Sequence, residues 1–148
     1  MRAVRRERID RGDTLLEVVI AIAILGVCVV AFGTSIAIGA QVSDRHRKQA
    51  DASAYLRNYA ERIDAWVATG HYTGCVPANT YTPAVVGLSL ASNYTATQSA
   101  GLKFTYDSTT GGSWGACSSD NGAQQLTLTV ASSDGRASEQ LTMVIRQP

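Results

Sequence analysis

The chain lacks the residue groupings on which most catalytic and metal-binding sites depend. It has only two histidines, His46 and His71, and neither pairs with a cysteine or a carboxylate at the spacing of a zinc or protease site. The glycine-rich residues 111–115 lack the Gly-Lys-Ser/Thr ending of a phosphate-binding loop. The sequence therefore predicts no metal site, no cofactor and no enzymatic activity.

Charge and proline are also missing from one long stretch near the N-terminus. Residues 18–40 contain no Asp, Glu, Lys, Arg, His or Pro. As a helix, these 23 residues would extend about 34 Å, whereas the hydrocarbon core of a bilayer is about 30 Å thick. The stretch predicts a membrane-spanning helix.

The segment before this stretch is basic. Residues 1–12 contain five arginines and two acidic residues, and positively charged flanks stay on the cytoplasmic side of a membrane. We therefore expect the rest of the chain to face outward. A cleaved secretory signal fits less well, because its apolar core is typically only about 7–15 residues long.

Lipid attachment at Cys28 is a second alternative for processing. Val27 stands where a small residue usually precedes a lipidated cysteine. The favoured interpretation of Cys28 is a small apolar residue within the helix, because unpaired cysteine commonly packs in this way.

One carboxylate, Glu17, lies at the start of the apolar run. A charged side chain within hydrocarbon costs about 2.5–3.5 kcal/mol on insertion scales and usually has a partner. If the chain is cut after Gly12, the new amine of Asp13 would neutralise Glu17 of a neighbouring copy. The alternative is that Glu17 extends to the headgroups, as long side chains near helix ends do.

The stretch from residue 11 to residue 17 reads RGDTLLE. Together with the apolar run, it resembles the N-terminal signal of type IV pilins and pseudopilins, especially that of pilin-like proteins of high-GC Gram-positive bacteria. The resemblance implies that a prepilin peptidase cuts between Gly12 and Asp13, and that Asp13 becomes the N-methylated first residue. It also implies that Glu17, with Thr14 and Leu15, serves filament assembly.

The partners implied by the resemblance are other pilin subunits, the prepilin peptidase, the pilus assembly ATPase and platform protein, and the membrane. The subunit would span the inner (cytoplasmic) membrane once before assembly and then belong to an extracellular filament or the cell surface. Thr34 stands where many major pilins have a helix-kinking proline, which favours a minor pilin or pseudopilin. The basic cluster at residues 44–48 is short and mixed in sign, so there is no strong nucleic-acid signal.

Beyond the span, the apolar residues follow a helical period, which predicts an amphipathic continuation of the helix to about residue 69. Gly70 is suited to end it. The apolar stripe consists of Leu56, Tyr59, Ile63, Trp66 and Val67.

From residue 70 the helical period disappears and turn and strand formers dominate. Residues 102–106, 126–130 and 141–145 alternate in polarity and predict antiparallel strands. Asp134-Gly135 predicts a hairpin between the last two, and a fourth strand is expected at residues 84–90.

These elements predict an α+β fold in which a long N-terminal α-helix packs against a small antiparallel β-sheet head, as in pilins. The expected parts are a basic leader (1–12), a hydrophobic transmembrane or filament helix (13–42), its amphipathic continuation (43–69) and a globular head (70–148). Helix and sheet are expected to share one core, because a 79-residue head alone is marginal.

Two cysteines, Cys75 and Cys117, fall in the part of the chain that is expected to be exported. Disulfides persist in such oxidising compartments. We expect these two cysteines to be bonded, with free thiols as the alternative.

Three hypotheses of function follow. The leading one is a structural subunit of a type IV pilus or pseudopilus. The second is a membrane-anchored extracellular binding module with no filament role, which predicts an uncut N-terminus. The third, an exported enzyme, has no supporting constellation of residues.

Overall fold

The computed structural model describes residues 10–148, and for residues 10–14 and 37 it describes the backbone alone. Residues 10–148 form one α-helix followed by five β-strands. They are α1 (Asp10–Ala68), β1 (Tyr94–Gln98), β2 (Leu102–Asp107), β3 (Gly111–Ala116), β4 (Ala123–Ser132) and β5 (Ser138–Arg146). The chain divides into two compact units, of which the first ends at Asp44 and the second is Arg45–Pro148.

The end of α1 lies within a residue of the position that the sequence predicts. The amide of Gly70 donates to the carbonyl of Val67 at 3.0 Å, and Gly70 has a φ of 92°. A left-handed residue after the last turn is the usual way for a helix to end, and glycine adopts it without steric cost.

Strand β4 is the centre of an antiparallel sheet. It pairs with β5 from Ala123 opposite Arg146 to Ala131 opposite Ser138. Its other edge is shared by β1 and then β2. Residues 99–101 of the β1–β2 connection lie opposite only two residues of β4, so the combined edge strand contains a bulge. Strand β3 then pairs with β2 as a hairpin.

The core of the second unit lies between this sheet and the amphipathic part of α1. Burial along β4 alternates without exception, so one face of the strand points into the core. The fully or nearly fully buried residues of the core include Ala52, Leu56, Tyr59, Ile63 and Val67 from the helix, and Leu126, Leu128, Val130 and Ile145 from the sheet. The predicted α+β fold, with the helix packed on a small antiparallel sheet, is confirmed.

The strands predicted at residues 102–106, 126–130 and 141–145 are present as β2, β4 and β5, and each is longer than predicted. The prediction of a fourth strand at residues 84–90 is wrong. That segment is a turn, in which the amide of Val86 donates to the carbonyl of Thr82 at 3.1 Å and that of Leu88 to Pro83 at 2.8 Å. Gly87 has a φ of 69°, which a strand does not accommodate. The segment is apolar because Val86 is buried in the core, and the additional strands are β1 and β3.

The predicted turn at Asp134-Gly135 connects β4 to β5 and is fixed to the helix. Asp134 accepts hydrogen bonds from the Ser132 hydroxyl at 2.7 Å and from the Arg136 amide at 3.2 Å. Its second carboxylate oxygen lies 2.5 Å from the ammonium of Lys48 in α1. The hydrogen bonds from Lys48, Ser132 and the Arg136 amide lower the pKa of Asp134 well below its usual range.

Candidate functional site

The first unit presents a long apolar helical surface. Within it, the most apolar 18-residue stretch is entirely unburied, and Phe32 and Ile36 are 71% and 75% exposed. Among the described residues, α1 is the helix that is long and apolar enough to cross a membrane. An apolar surface of this extent is suited to lipid or to other helices rather than to water.

The hydroxyl groups within this apolar surface bond to their own helix. Thr34 donates to the carbonyls of Ala31 at 2.9 Å and Val30 at 3.2 Å, and Ser35 donates to that of Ala31 at 2.9 Å. Hydroxyl groups that bond back to the preceding turn need no partner from water. Thr34 and Ser35 therefore remain compatible with an apolar environment.

A shallow apolar groove lies on the helix at Gly26. Nothing lies within 4 Å of the position that a Cβ at Gly26 would occupy, and Ile22, Val27 and Val30 are among the residues that line the groove. Small residues at such positions let a second helix approach closely in apolar surroundings.

Glu17 is the carboxylate of this surface. Its side chain is exposed, between Leu16 and Val18, which are 59% and 57% exposed. The next charged residue towards the C-terminus is Asp44. Glu17 thus stands at the N-terminal end of an otherwise uncharged surface of more than seven helical turns at about 3.6 residues per turn.

The other residues of the assembly signal are only partly described. Gly12, Asp13 and Thr14 have helical backbone, but their side chains lie outside the described residues, as does the leader before Asp10. Leu15 is exposed on the same apolar surface. The predicted cut, the N-methylation and the role of Glu17 with Thr14 and Leu15 stay predictions.

The third cysteine, Cys28, is a free and exposed residue of the apolar helix. Its helical position fits the interpretation as a small apolar side chain.

The second unit contains the predicted disulfide between Cys75 and Cys117. It connects the loop after α1 to the connection between β3 and β4. The same two segments also meet where the Tyr72 hydroxyl donates to Asp120 at 2.9 Å. Burial, and then this hydrogen bond, raise the pKa of Tyr72 to about 12.

Two buried glutamines, Gln98 and Gln124, hold the rest of the loop after α1. The Gln98 side-chain oxygen accepts from the amides of Thr80 and Tyr81 at 3.1 and 3.2 Å. Gln124 accepts from the amide of Val76 at 2.9 Å. Neither glutamine was predicted from the sequence as a structural residue, although Gln124 lies on the same inward face of β4 as Leu126 and Leu128, where a polar side chain must find partners.

The two histidines stand apart from any cluster of ligands. Within residues 10–148, no group of three or more His, Cys, Asp or Glu side chains is placed to hold a metal ion. His71 stacks on Trp66 with ring centroids 3.8 Å apart and contacts the Thr69 hydroxyl at 3.0 Å. Through these contacts, His71 packs against the C-terminal end of α1.

Comparison of the chain with protein-family models, with curated proteins and with solved structures found no match.

Proposed function

We propose that this protein is a structural subunit of a type IV pilus or pseudopilus, of the minor pilin or pseudopilin kind, that assembles through its N-terminal helix. The observation that carries the proposal is the position of Glu17. It is an exposed carboxylate at the N-terminal end of an uncharged, exposed helical surface, and it is the last residue of the stretch 11–17 that resembles a prepilin signal.

The apolar surface supports assembly through helices, because it suits two environments. Before assembly, lipid covers it, and the basic leader keeps the N-terminus cytoplasmic. After assembly, helices of neighbouring subunits replace the lipid, and the groove at Gly26 permits close approach. The hydroxyl groups of Thr34 and Ser35 bond within the helix, so they do not oppose the transfer.

Glu17 gives the assembly its register. A carboxylate without a partner costs about 2.5–3.5 kcal/mol in a bilayer, and a wrongly placed subunit would bear that cost. Cleavage after Gly12 creates an amine on Asp13, and this amine is the charge that offsets Glu17 of the adjacent subunit. The register that places the Glu17 carboxylate beside the Asp13 amine of the adjacent subunit is therefore favoured over registers that separate them.

The mechanism is therefore physical rather than catalytic. The peptidase releases the leader and creates the amine, and the assembly ATPase and platform protein extract the helix from lipid into a bundle of like helices. The second unit is exported, where the Cys75–Cys117 disulfide fits an oxidising environment.

N-terminal mass spectrometry of the protein from its native membrane tests the processing step. We expect a chain that begins at Asp13, with or without one methyl group on its amine. Gly12→Leu should leave the leader attached, because the cut depends on the residue before it. Gly33→Leu is the matched control, since it introduces the same side chain into open space on the same helix and should be processed normally.

A wild-type chain that retains residues 1–12 would contradict the proposal and favour a plain membrane anchor for an extracellular binding module. A chain that begins at a lipidated Cys28 would contradict both.

A further inference from the structure

The face of the sheet that is turned away from α1 is open to solvent. Because β4 alternates, its odd-numbered residues lie on this face. Their register partners share the face, and those at the sheet edges are exposed, including Thr95, Thr97, Gln140 and Thr142. We call this surface the neutral face, and it consists of Thr95, Thr97, Leu102, Phe104, Tyr106, Gly112, Trp114, Ala116, Gln125, Thr127, Thr129, Ala131, Ser138, Gln140, Thr142 and Val144.

None of the residues of the neutral face is charged, and its polar groups are hydroxyls and amides. Thr129 lies between Thr97 of β1 and Gln140 of β5, and Thr127 lies beside Thr142. Arg146 lies opposite Ala123 in the row next to that of Gln125 and Val144 and is exposed on the same side of the sheet, so this side carries one cationic side chain beside the neutral face. The charged residues of the β2–β3 hairpin, Lys103 and Asp107, alternate with Leu102, Phe104 and Tyr106 and so belong to its other side.

One end of the neutral face is aromatic. Phe104 lies opposite Trp114 in the hairpin, with the two ring centroids 5.3 Å apart and the rings inclined by 61°. Tyr106 follows Phe104 on the same face and is 73% exposed. Phe104 and Tyr106 are exposed and Trp114 is half-buried, whereas Tyr59, Tyr81 and Tyr94 are buried in the core.

Gly112 makes this arrangement possible. A Cβ at Gly112 would lie 2.1 Å from the Phe104 ring, so the ring covers the place where a side chain would stand. Gly112 has no positive φ, and the close approach of the ring is therefore what requires glycine here. Tyr106 lies directly opposite Gly112 in the register.

The hairpin that carries the rings is held in place at both ends. At its tip, Asp107 accepts from the amide and hydroxyl of Thr109 at 2.8 and 2.5 Å. At its base, the Asn121 amide group donates to the carbonyl of Phe104 at 3.3 Å, and Lys103 donates to the Ser119 hydroxyl at 2.9 Å. A preorganised surface loses little entropy on binding.

The geometry points to a binding site for a neutral polysaccharide on the neutral face, with Phe104, Tyr106 and Trp114 as the stacking residues. A pyranose ring has an apolar C–H side that packs on an aromatic ring and hydroxyl groups at its edge. The threonine hydroxyls and glutamine amides beside the rings both donate and accept hydrogen bonds, as sugar hydroxyls do. An open face several strands wide suits an extended chain rather than a single small molecule.

The absence of charge from these residues distinguishes this ligand from the other polymers that an exported head meets. Nucleic acid and acidic polysaccharide bind through several cationic side chains, whereas this side of the sheet carries one, Arg146. A second copy of the chain would need to bury about 800 Å² on each partner. Outside the three rings, eight of the thirteen residues of the neutral face are threonine, serine or glutamine, whereas the core of a protein interface is enriched in apolar residues.

Affinity electrophoresis of the full-length chain tests this site. Native gels would contain hydroxyethyl cellulose, glycol chitin, amylose or dextran, with alginate as the acidic control. The detergent should be a polyoxyethylene ether, since a sugar detergent would compete. We expect at least one neutral polysaccharide to retard the wild-type chain and alginate to leave it unaffected.

Two variants test the residues. Tyr106→Ala should weaken retardation by about 2- to 10-fold, the range that corresponds to the loss of one aromatic contact. Gly112→Ala should weaken it as well, because it displaces the Phe104 ring. Val85→Ala is the matched control, because Val85 is an exposed apolar residue outside the neutral face, and it should bind as the wild type does. Equal urea midpoints would establish that all three variants are folded.

The proposed site is contradicted if none of the four neutral polysaccharides retards the wild type. It is equally contradicted if the Tyr106→Ala and Gly112→Ala variants are folded and are retarded as strongly as the wild type. It is also wrong if the two variants change only the oligomeric state of the chain, because the face would then be a contact between copies. These results are independent of N-terminal processing, so they leave the filament proposal unaffected.

Discussion

The hydrogen bonds of Gln124 make a quantitative prediction about the stability of the head. Gln124 is fully buried in the central strand. Its side chain accepts from the Val76 amide at 2.9 Å and donates to the Thr73 carbonyl at 2.6 Å. We expect Gln124→Met, which keeps nearly the same volume, to destabilise the head.

The magnitude follows from the two backbone groups that lose their partner. Val76 is buried, so its amide would be left without a hydrogen bond, which costs about 1–3 kcal/mol. Thr73 is exposed, and water replaces Gln124 at its carbonyl at little cost. The expected loss is about 2 kcal/mol in the free energy of unfolding. With a urea slope of about 2 kcal/mol/M, the midpoint falls by about 1 M.

Urea titration of the full-length chain in nonionic detergent, followed by the fluorescence of Trp66 and Trp114, measures this change. Gln125→Met is the matched control, because Gln125 is the next residue of β4 and lies on the opposite, open face. We expect the control to change the stability by less than about 0.5 kcal/mol. Equal midpoints for the two variants would refute the assignment of a structural role to the Gln124 hydrogen bonds.

Two further predictions concern the cross-links of the head. Replacing both Cys75 and Cys117 by serine should lower the stability by up to about 4 kcal/mol on the chain-entropy model, since the disulfide spans 42 residues of sequence; an unchanged urea midpoint would contradict this. The contacts that lower the pKa of Asp134 also stabilise the fold while its carboxyl group is ionised. This stabilisation is fully present above the pKa of a carboxyl in the unfolded chain and is lost as the pH falls through the pKa of the folded state. Urea midpoints of the wild type and Asp134→Asn should therefore differ at about pH 6 and converge towards about pH 2, and a constant difference would contradict the role of the Lys48 contact.

The helix and the central strands were predictable, because a repeated pattern specifies them. The stripe of Leu56, Tyr59 and Ile63 repeats at helical spacing, and these residues pack on the sheet as expected. The segment around Leu126 and Leu128 alternates at the period of a strand. In both elements the apolar residues alone identify the face that is buried.

Strands β1 and β3 were missed because tertiary contacts outweigh local preference in them. Strand β1 is anchored by Tyr94 and by a buried polar residue, Gln98, so its inward positions are not uniformly apolar. Strand β3 contains three glycines, which normally disfavour a strand. It pairs with β2 at the edge of the sheet, and Gly112 provides the space that the Phe104 ring occupies.

The apolar run and Glu17 were likewise readable from the sequence, because they depend on composition and order along the chain. The network around Gln98 and Gln124 was not, because its partners lie in the loop after α1. Gln124 is separated from Val76 by 48 residues. No local pattern indicates which loop a buried amide will hold.

The shear fraction of cells that express Glu17→Ala tests the central claim most directly. Wild-type protein and Glu61→Ala, which removes an exposed carboxylate of the same helix outside the apolar run, should both appear in sheared filaments. Glu17→Ala should be cleaved and inserted into the membrane normally, yet be largely missing from the sheared fraction. Incorporation of Glu17→Ala at the wild-type level would contradict the role of this carboxylate in filament assembly.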